Sequence, residues 1–106
     1  MNYLNSKPKK LRFKDTAATK KARLRDGVCL YGWVFAVKNN DPCSPGLDGH
    51  HIETRGSGGD DVPENIITLC RKHHNNAPNV DPNIFKSILA NLYGYEYEGV
   101  KPWRFR

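Results

Sequence analysis

The sequence predicts a small α+β domain built on a strand, loop, strand, helix unit with further helices on its flanks. Three observations carry that expectation. Two β-like stretches, Leu47 to Thr54 and Ile66 to Leu69, are separated by Gly56 to Glu64, a segment rich in turn residues, so the second stretch reads as the antiparallel return of the first. Helix signals stand on both sides, at Thr16 to Arg25 and from Asp81 onward. All four histidines, His50, His51, His73 and His74, fall at the two ends of the predicted hairpin, where folding back brings them together.

The elements follow in order. Asp15 can cap a first helix over Thr16 to Arg25, and Gly27 can end it in the left-handed conformation. Its apolar content is only Ala17, Ala18, Ala22 and Leu24, which predicts modest packing and a cationic outer face. Val28 to Val37, with Leu30, Tyr31, Trp33, Val34 and Phe35, has the aromatic and β-branched composition of one or two short strands. Lys38 to Gly46 is a dense turn signal that places Cys43 on a loop. After the hairpin, Arg71 starts a short helix that Pro78 limits to about two turns. Asp81-Pro82 starts a second, whose Ile84, Phe85, Ile88, Leu89 and Leu92 form one apolar face before Gly94.

The chain has 106 residues, enough for one domain with a small core. We expect a basic arm over residues 1–14 and a single domain over 15–106, its central unit spanning about 47–78. Charge points to the partner. Lys and Arg number 17 against 11 Asp and Glu, a formal net charge of +6, and nine of the cations precede residue 26. This balance suits a polyanion. The candidate phosphate contacts are Lys7, Lys9, Lys10, Arg12, Lys20, Lys21, Arg55, Arg71, Arg104 and Arg106, and the last two alternate with Trp103 and Phe105, which could stack bases or dock on the core. Solvated tails are the competing account of such runs. No apolar run is long enough for a bilayer span, the N-terminus lacks a secretory core, and three cysteines make an odd count, so a cytoplasmic protein with free or metal-bound thiols is expected.

The histidines suit hydrolytic metal chemistry, which needs ligands on rigid elements and a base not consumed as a ligand. Adjacent strand residues point to opposite faces, so His50 and His51 cannot easily share one role. One can turn toward the helix bearing His74 and hold a cation, leaving the other as general base.

The residues His50-His51-Ile52, Gly58-Gly59-Asp60-Asp61 and Glu64-Asn65-Ile66-Ile67-Thr68-Leu69-Cys70-Arg71-Lys72-His73-His74 resemble the motif of the HNH endonucleases, the ββα-metal nucleases. The resemblance implies that His50 and His74 bind the catalytic metal, His51 is the general base, and Asn65 braces the loop and helps orient that base. It implies a metal-dependent DNA endonuclease or nickase using Mg2+ or Mn2+, with Zn2+ as an alternative, and leaving 5′-phosphate and 3′-hydroxyl ends. The size and layout resemble those of small phage and prophage members, which adds a third reading, an accessory nuclease with phage packaging or recombination proteins as partners.

Many relatives also hold a structural zinc with two Cys-x-x-Cys pairs. Here the second pair becomes Cys70-x-x-His73, and in the first Gly32 stands where the second cysteine would be, leaving Cys43 as the nearest replacement. A site of Cys29, Cys43, Cys70 and His73 competes with buried free thiols. At the level of function, a non-catalytic, zinc-stabilised nucleic-acid-binding module is the alternative to the enzyme.

Overall fold

The computed structural model describes residues 12–97. Four helices, α1 (Ala18–Asp26), α2 (Leu30–Asn39), α3 (Arg71–Asn76) and α4 (Pro82–Tyr93), surround one antiparallel pair of strands, β1 (Leu47–His51) and β2 (Ile66–Cys70). The α+β class and the ββα order expected for the central unit are therefore present. Three single 3₁₀ turns complete it, at Arg55–Ser57, Pro63–Asn65 and Ala77–Asn79.

Register decides which side chains share a face. Gly49 stands opposite Thr68 and His51 opposite Ile66, while His50 stands opposite Ile67 and Asp48 opposite Leu69. Every residue of β2 is buried, because helices cover both sides of the sheet. On one side Ile66 meets Ala18 and Ala22 of α1. On the other, Ile67 and Leu69 join Leu30, Phe85, Ile88 and Leu89 in the main core. Each such aliphatic contributes on the order of 1.5–3 kcal/mol by leaving water. The close fit of α1 depends on Gly49, where a Cβ would lie 2.7 Å from the Thr19 side chain and 2.9 Å from its Cα.

Helix ends follow their local chemistry. Gly27 closes α1 at φ 72° with its N–H on Arg23, and Gly94 closes α4 in the same conformation. Asp81 accepts the Asn83 amide at the start of α4. Asp15 does not cap α1 as expected: the helix begins at Ala18 behind Ala17, without a side-chain cap, and Asp15 accepts the Ala17 amide at 3.0 Å in the turn that precedes it. Within α4, Phe85, Ile88 and Leu89 are buried, whereas Ile84 and Leu92 stay largely exposed at the margin.

Two elements differ from the sequence expectation. The 28–37 stretch is not a strand: Leu30–Asn39 is helical, with Leu30 buried, Tyr31 and Phe35 packed against the core, and Trp33 and Val34 outside. Helical spacing serves these contacts where alternation would bury Trp33, so packing overrides β propensity. The first strand ends at His51 rather than Thr54, because the chain turns at once into the loop that Asn65 holds.

The chain before α1 is docked. Asp61 N donates to Phe13 O, Phe13 N to Asp60 Oδ1 and Asp15 N to Asp61 Oδ2, which makes residues 12–15 a strap across the 59–61 loop. Behind α1, the buried Asp26 carboxylate accepts from Arg25, from the Tyr93 hydroxyl at 2.6 Å and from the Thr68 amide at 3.1 Å, joining α1, α4 and β2.

Candidate active site and metal centre

The hairpin brings the histidines into two groups. His50 leaves β1 on the face toward α3, and its ring meets that of His74 edge-on, with centroids 5.2 Å apart. Phe85 supports His50 from beneath at 5.4 Å. Burial, then the charges of His74 and His51, push the His50 pKa down to about 4, so this imidazole is neutral and keeps a lone pair at neutral pH. His74 Nδ1 lies 2.9 Å from Asp48 Oδ2, and a carboxylate that accepts there leaves the lone pair on Nε2. Arg71 holds the same carboxylate through two hydrogen bonds of 2.7 and 3.0 Å. His50 and His74 thus present two imidazoles side by side.

His51, the last residue of β1, lies on the opposite face, with Nε2 2.8 Å from Asp61 Oδ1. The loop that follows is fixed by Asn65, which is fully buried. Its Oδ1 accepts from the Glu53 amide at 2.7 Å, and its Nδ2 donates to Glu53 O at 3.0 Å and Asp60 O at 2.9 Å. Both ends of the amide are used, as only Asn or Gln permits. Gly59 allows the crossing to be this tight, since a Cβ there would sit 1.8 Å from Glu53 O.

The second group is the cysteine cluster. One ligand atom from each of Cys29, Cys43, Cys70 and His73 lies within 4.8 Å of the others. His73 Nδ1 stands 3.4 Å from Cys29 Sγ, 3.7 Å from Cys43 Sγ and 3.2 Å from Cys70 Sγ. Tetrahedral zinc bonds of about 2.3 Å to sulfur and about 2.0 Å to nitrogen put such atoms roughly 3.5 Å apart, so the donors fit the ion in kind and spacing. Backbone amides of Gly32 and His73 donate to the Cys29 and Cys70 sulfurs at 3.3 Å each. Asp41 accepts from His73 Nε2 at 3.1 Å and fixes the tautomer that turns Nδ1 to the sulfurs.

Gly32 explains the altered spacing. A Cβ at this position would lie 2.2 Å from Cys43 Sγ, so the glycine leaves the space that the later cysteine fills. The thiols compete for ionisation, and unequally. Burial, followed by the Cys29 and Cys70 sulfurs, pushes Cys43 up to about 12; burial opposes ionisation of Cys70 as well, yet hydrogen bonds from the His73 and Ser44 amides bring it to about 7. A divalent ion removes that conflict by stabilising the thiolates together.

A model of the HNH endonuclease family matches residues 34–79. Residues 34–79 carry the HNH endonuclease signature. The match contains β1, the braced loop, β2 and α3, and with them all four histidines, Asn65, Cys43 and Cys70; Cys29 precedes it. Searches of the curated proteins and of the solved structures returned no match. An HNH domain is a nuclease fold that uses a divalent metal and acts on nucleic acid, a substrate class in keeping with the +6 net charge. Among the described residues, no helix is long and apolar enough to cross a membrane.

The other expected contacts divide. Lys20 and Arg55 are exposed, and Lys21 is exposed but paired with Asp15 at 2.7 Å. Arg71 is exposed yet committed to Asp48. Arg12, expected at phosphate, is spent inside the fold: its Nε donates to Gly59 O at 2.7 Å and its guanidinium pairs with Asp61. Lys7, Lys9, Lys10, Arg104 and Arg106, with Trp103 and Phe105, lie outside the described residues. Sequence reasoning missed the acids. Asp61, Asp48 and Asp41 each partner one of His51, His74 and His73, and their only sequence signal was proximity to turns, which aspartate favours anyway.

Proposed function

We propose that the HNH domain is a metal-dependent DNA endonuclease or nickase that hydrolyses phosphodiesters with His51 as general base. The observation that carries this reading is the division of adjacent residues: His50 joins His74 on one face of β1, while His51 stands on the other and is not part of that pair. A base placed apart from the ligands can serve the attacking water while the cation serves the phosphate.

His50 and His74 would hold Mg2+ or Mn2+, with Zn2+ as the alternative, and two protein ligands leave room for phosphate and water. When bound, the cation offsets the charge that develops on the phosphate and the departing oxygen. The chain does the rest. His51 takes a proton from water as the water oxygen bonds to phosphorus, and the phosphorus bond to the 3′-oxygen breaks; that oxygen takes a proton from solvent water, leaving 5′-phosphate and 3′-hydroxyl ends. Asn65 keeps His51 in place by joining both sides of the loop that follows it. The Cys29, Cys43, Cys70 and His73 site would hold a structural zinc that fastens α2 and its following loop to β2 and α3. Exposed cations and the two basic termini supply salt-sensitive contact with the DNA backbone and weak sequence preference.

The test is cleavage of supercoiled plasmid in Mg2+, Mn2+, Zn2+ or chelator, which separates nicks from double-strand breaks. We expect cleavage that needs a divalent ion and disappears in His51→Ala, while DNA binding persists. A chain that binds DNA but cuts under none of these ions would instead be a zinc-stabilised binding module.

A further inference from the structure

Asp61 lies in the bend that leads into the Pro63–Asn65 turn. Its side chain is almost wholly buried, yet it carries an acid, and every group that reaches it is a donor or a cation. The Asp15 amide donates to Oδ2 at 2.9 Å, the Arg12 guanidinium pairs with Oδ1, and Arg55 Nε approaches to 3.4 Å from a more exposed position. Burial would raise its pKa, but the Asp15 amide, His51 and Arg12 together hold it well below the usual carboxylate range. At neutral pH it is an acceptor only.

That property has a consequence for His51. Its Nε2 is 2.8 Å from Asp61 Oδ1, and a neutral imidazole facing a carboxylate must carry its hydrogen on the nitrogen that faces it. Among the described residues, no hydrogen bond reaches His51 Nδ1. We propose that Asp61 is a positioning residue, seated by the 12–15 strap, that fixes His51 as the Nε2–H tautomer and so leaves Nδ1 as the nitrogen that takes the proton from water. The inference rests on His51 being the base. It also gives the strap a task beyond charge: Arg12 and Asp15 hold the carboxylate that holds the base.

The experiment combines nitrogen NMR of the His51 ring with steady-state cleavage kinetics, in the full chain and in Asp61→Asn, which keeps shape but can present a donor. Assignment uses His51→Gln. The expected result is an Nε2–H signature in the unaltered chain, a shift toward Nδ1–H in Asp61→Asn, and a fall in kcat of at least about tenfold with KM nearly unchanged. An Nδ1–H ring in the unaltered chain overturns the proposal, and this measurement needs no variant that might fail to fold. So does an Asp61→Asn protein whose tautomer is unchanged, or one whose tautomer shifts while kcat does not. A chain that cuts no substrate yet has an Nε2–H ring that responds to Asp61→Asn refutes the nuclease reading alone and leaves the positioning by Asp61 standing.

Discussion

The cysteine cluster and the histidine pair are built from similar donors, but one is closed and the other open. Cys29, Cys43, Cys70 and His73, three of them buried, bring four donor atoms within 4.8 Å of one another, the number that a structural zinc takes. His50 and His74 provide two donors, one of them from a half-exposed helix, and leave the remaining positions to whatever approaches. Closure favours a metal that holds the chain together; openness favours a metal that meets a substrate. Their supports match this division, because Asp41 and backbone amides fix the first group while Asp48, Arg71 and Phe85 hold only one side of the second.

Breaking the closed site should have the largest effect. Cys70→Ser removes a central donor, and since structural zinc can contribute about 10 kcal/mol to folding, we expect loss of one zinc equivalent and of the cooperative thermal transition. An unchanged Tm with unchanged metal content would return the cysteines to the status of buried thiols. His51→Ala should lower plasmid cleavage by about 10²–10⁴ while thermal stability and zinc content stay as they were, because the base belongs to neither ligand set. A parallel loss of zinc would erase the distinction between the two sites.

Asp26→Ala is a control that touches neither group. It leaves Arg25 without its buried partner and should cost about 3 kcal/mol in urea unfolding, with both metals retained. The same carboxylate predicts a pH dependence. Burial raises its pKa, but Arg25, Tyr93 and Thr68 outweigh burial and hold it below the ordinary value of 3.8, so its stabilisation is present above that value and lost as pH falls through the lower folded-state pKa. Acid unfolding of Asp26→Asn should therefore be shallower than that of the unaltered chain. Asp48→Asn sharpens the comparison further: cation affinity at the histidine pair should fall by about tenfold to a hundredfold in titration calorimetry, with zinc at the quartet unaffected. The smallest effect belongs to Lys20→Ala, which should lower the slope of DNA affinity against salt by about one if that exposed ammonium sits at a phosphate.

Much of this architecture was legible because it depends on local chemistry. Gly27 and Gly94 stop helices, Asp81-Pro82 starts one, and the turn residues from Gly56 to Glu64 return the chain. The histidine spacing likewise set one of His50 and His51 beside His74 and the other apart; that His50 is the one beside it came from the resemblance, and the fold pairs its ring with that of His74. What was not legible depends on partners distant in sequence. Leu30–Asn39 reads as strand by composition and becomes helix because Tyr31 and Phe35 find the core at helical spacing. Arg12 reads as a free cation and is claimed by Asp61, 49 residues away. Three aspartates that seat histidines read as turn residues, since nothing local tells a carboxylate that shapes a turn from one that selects a tautomer.

Any side chain at position 32 would compete with the Cys43 sulfur for one volume, and this couples the two positions. Cysteine at position 32 with Cys43 retained would crowd the cluster, whereas loss of Cys43 with Gly32 retained would leave it short of a sulfur. The place of that sulfur is thus specified at two positions of the chain, by the side chain that one supplies and the side chain that the other lacks.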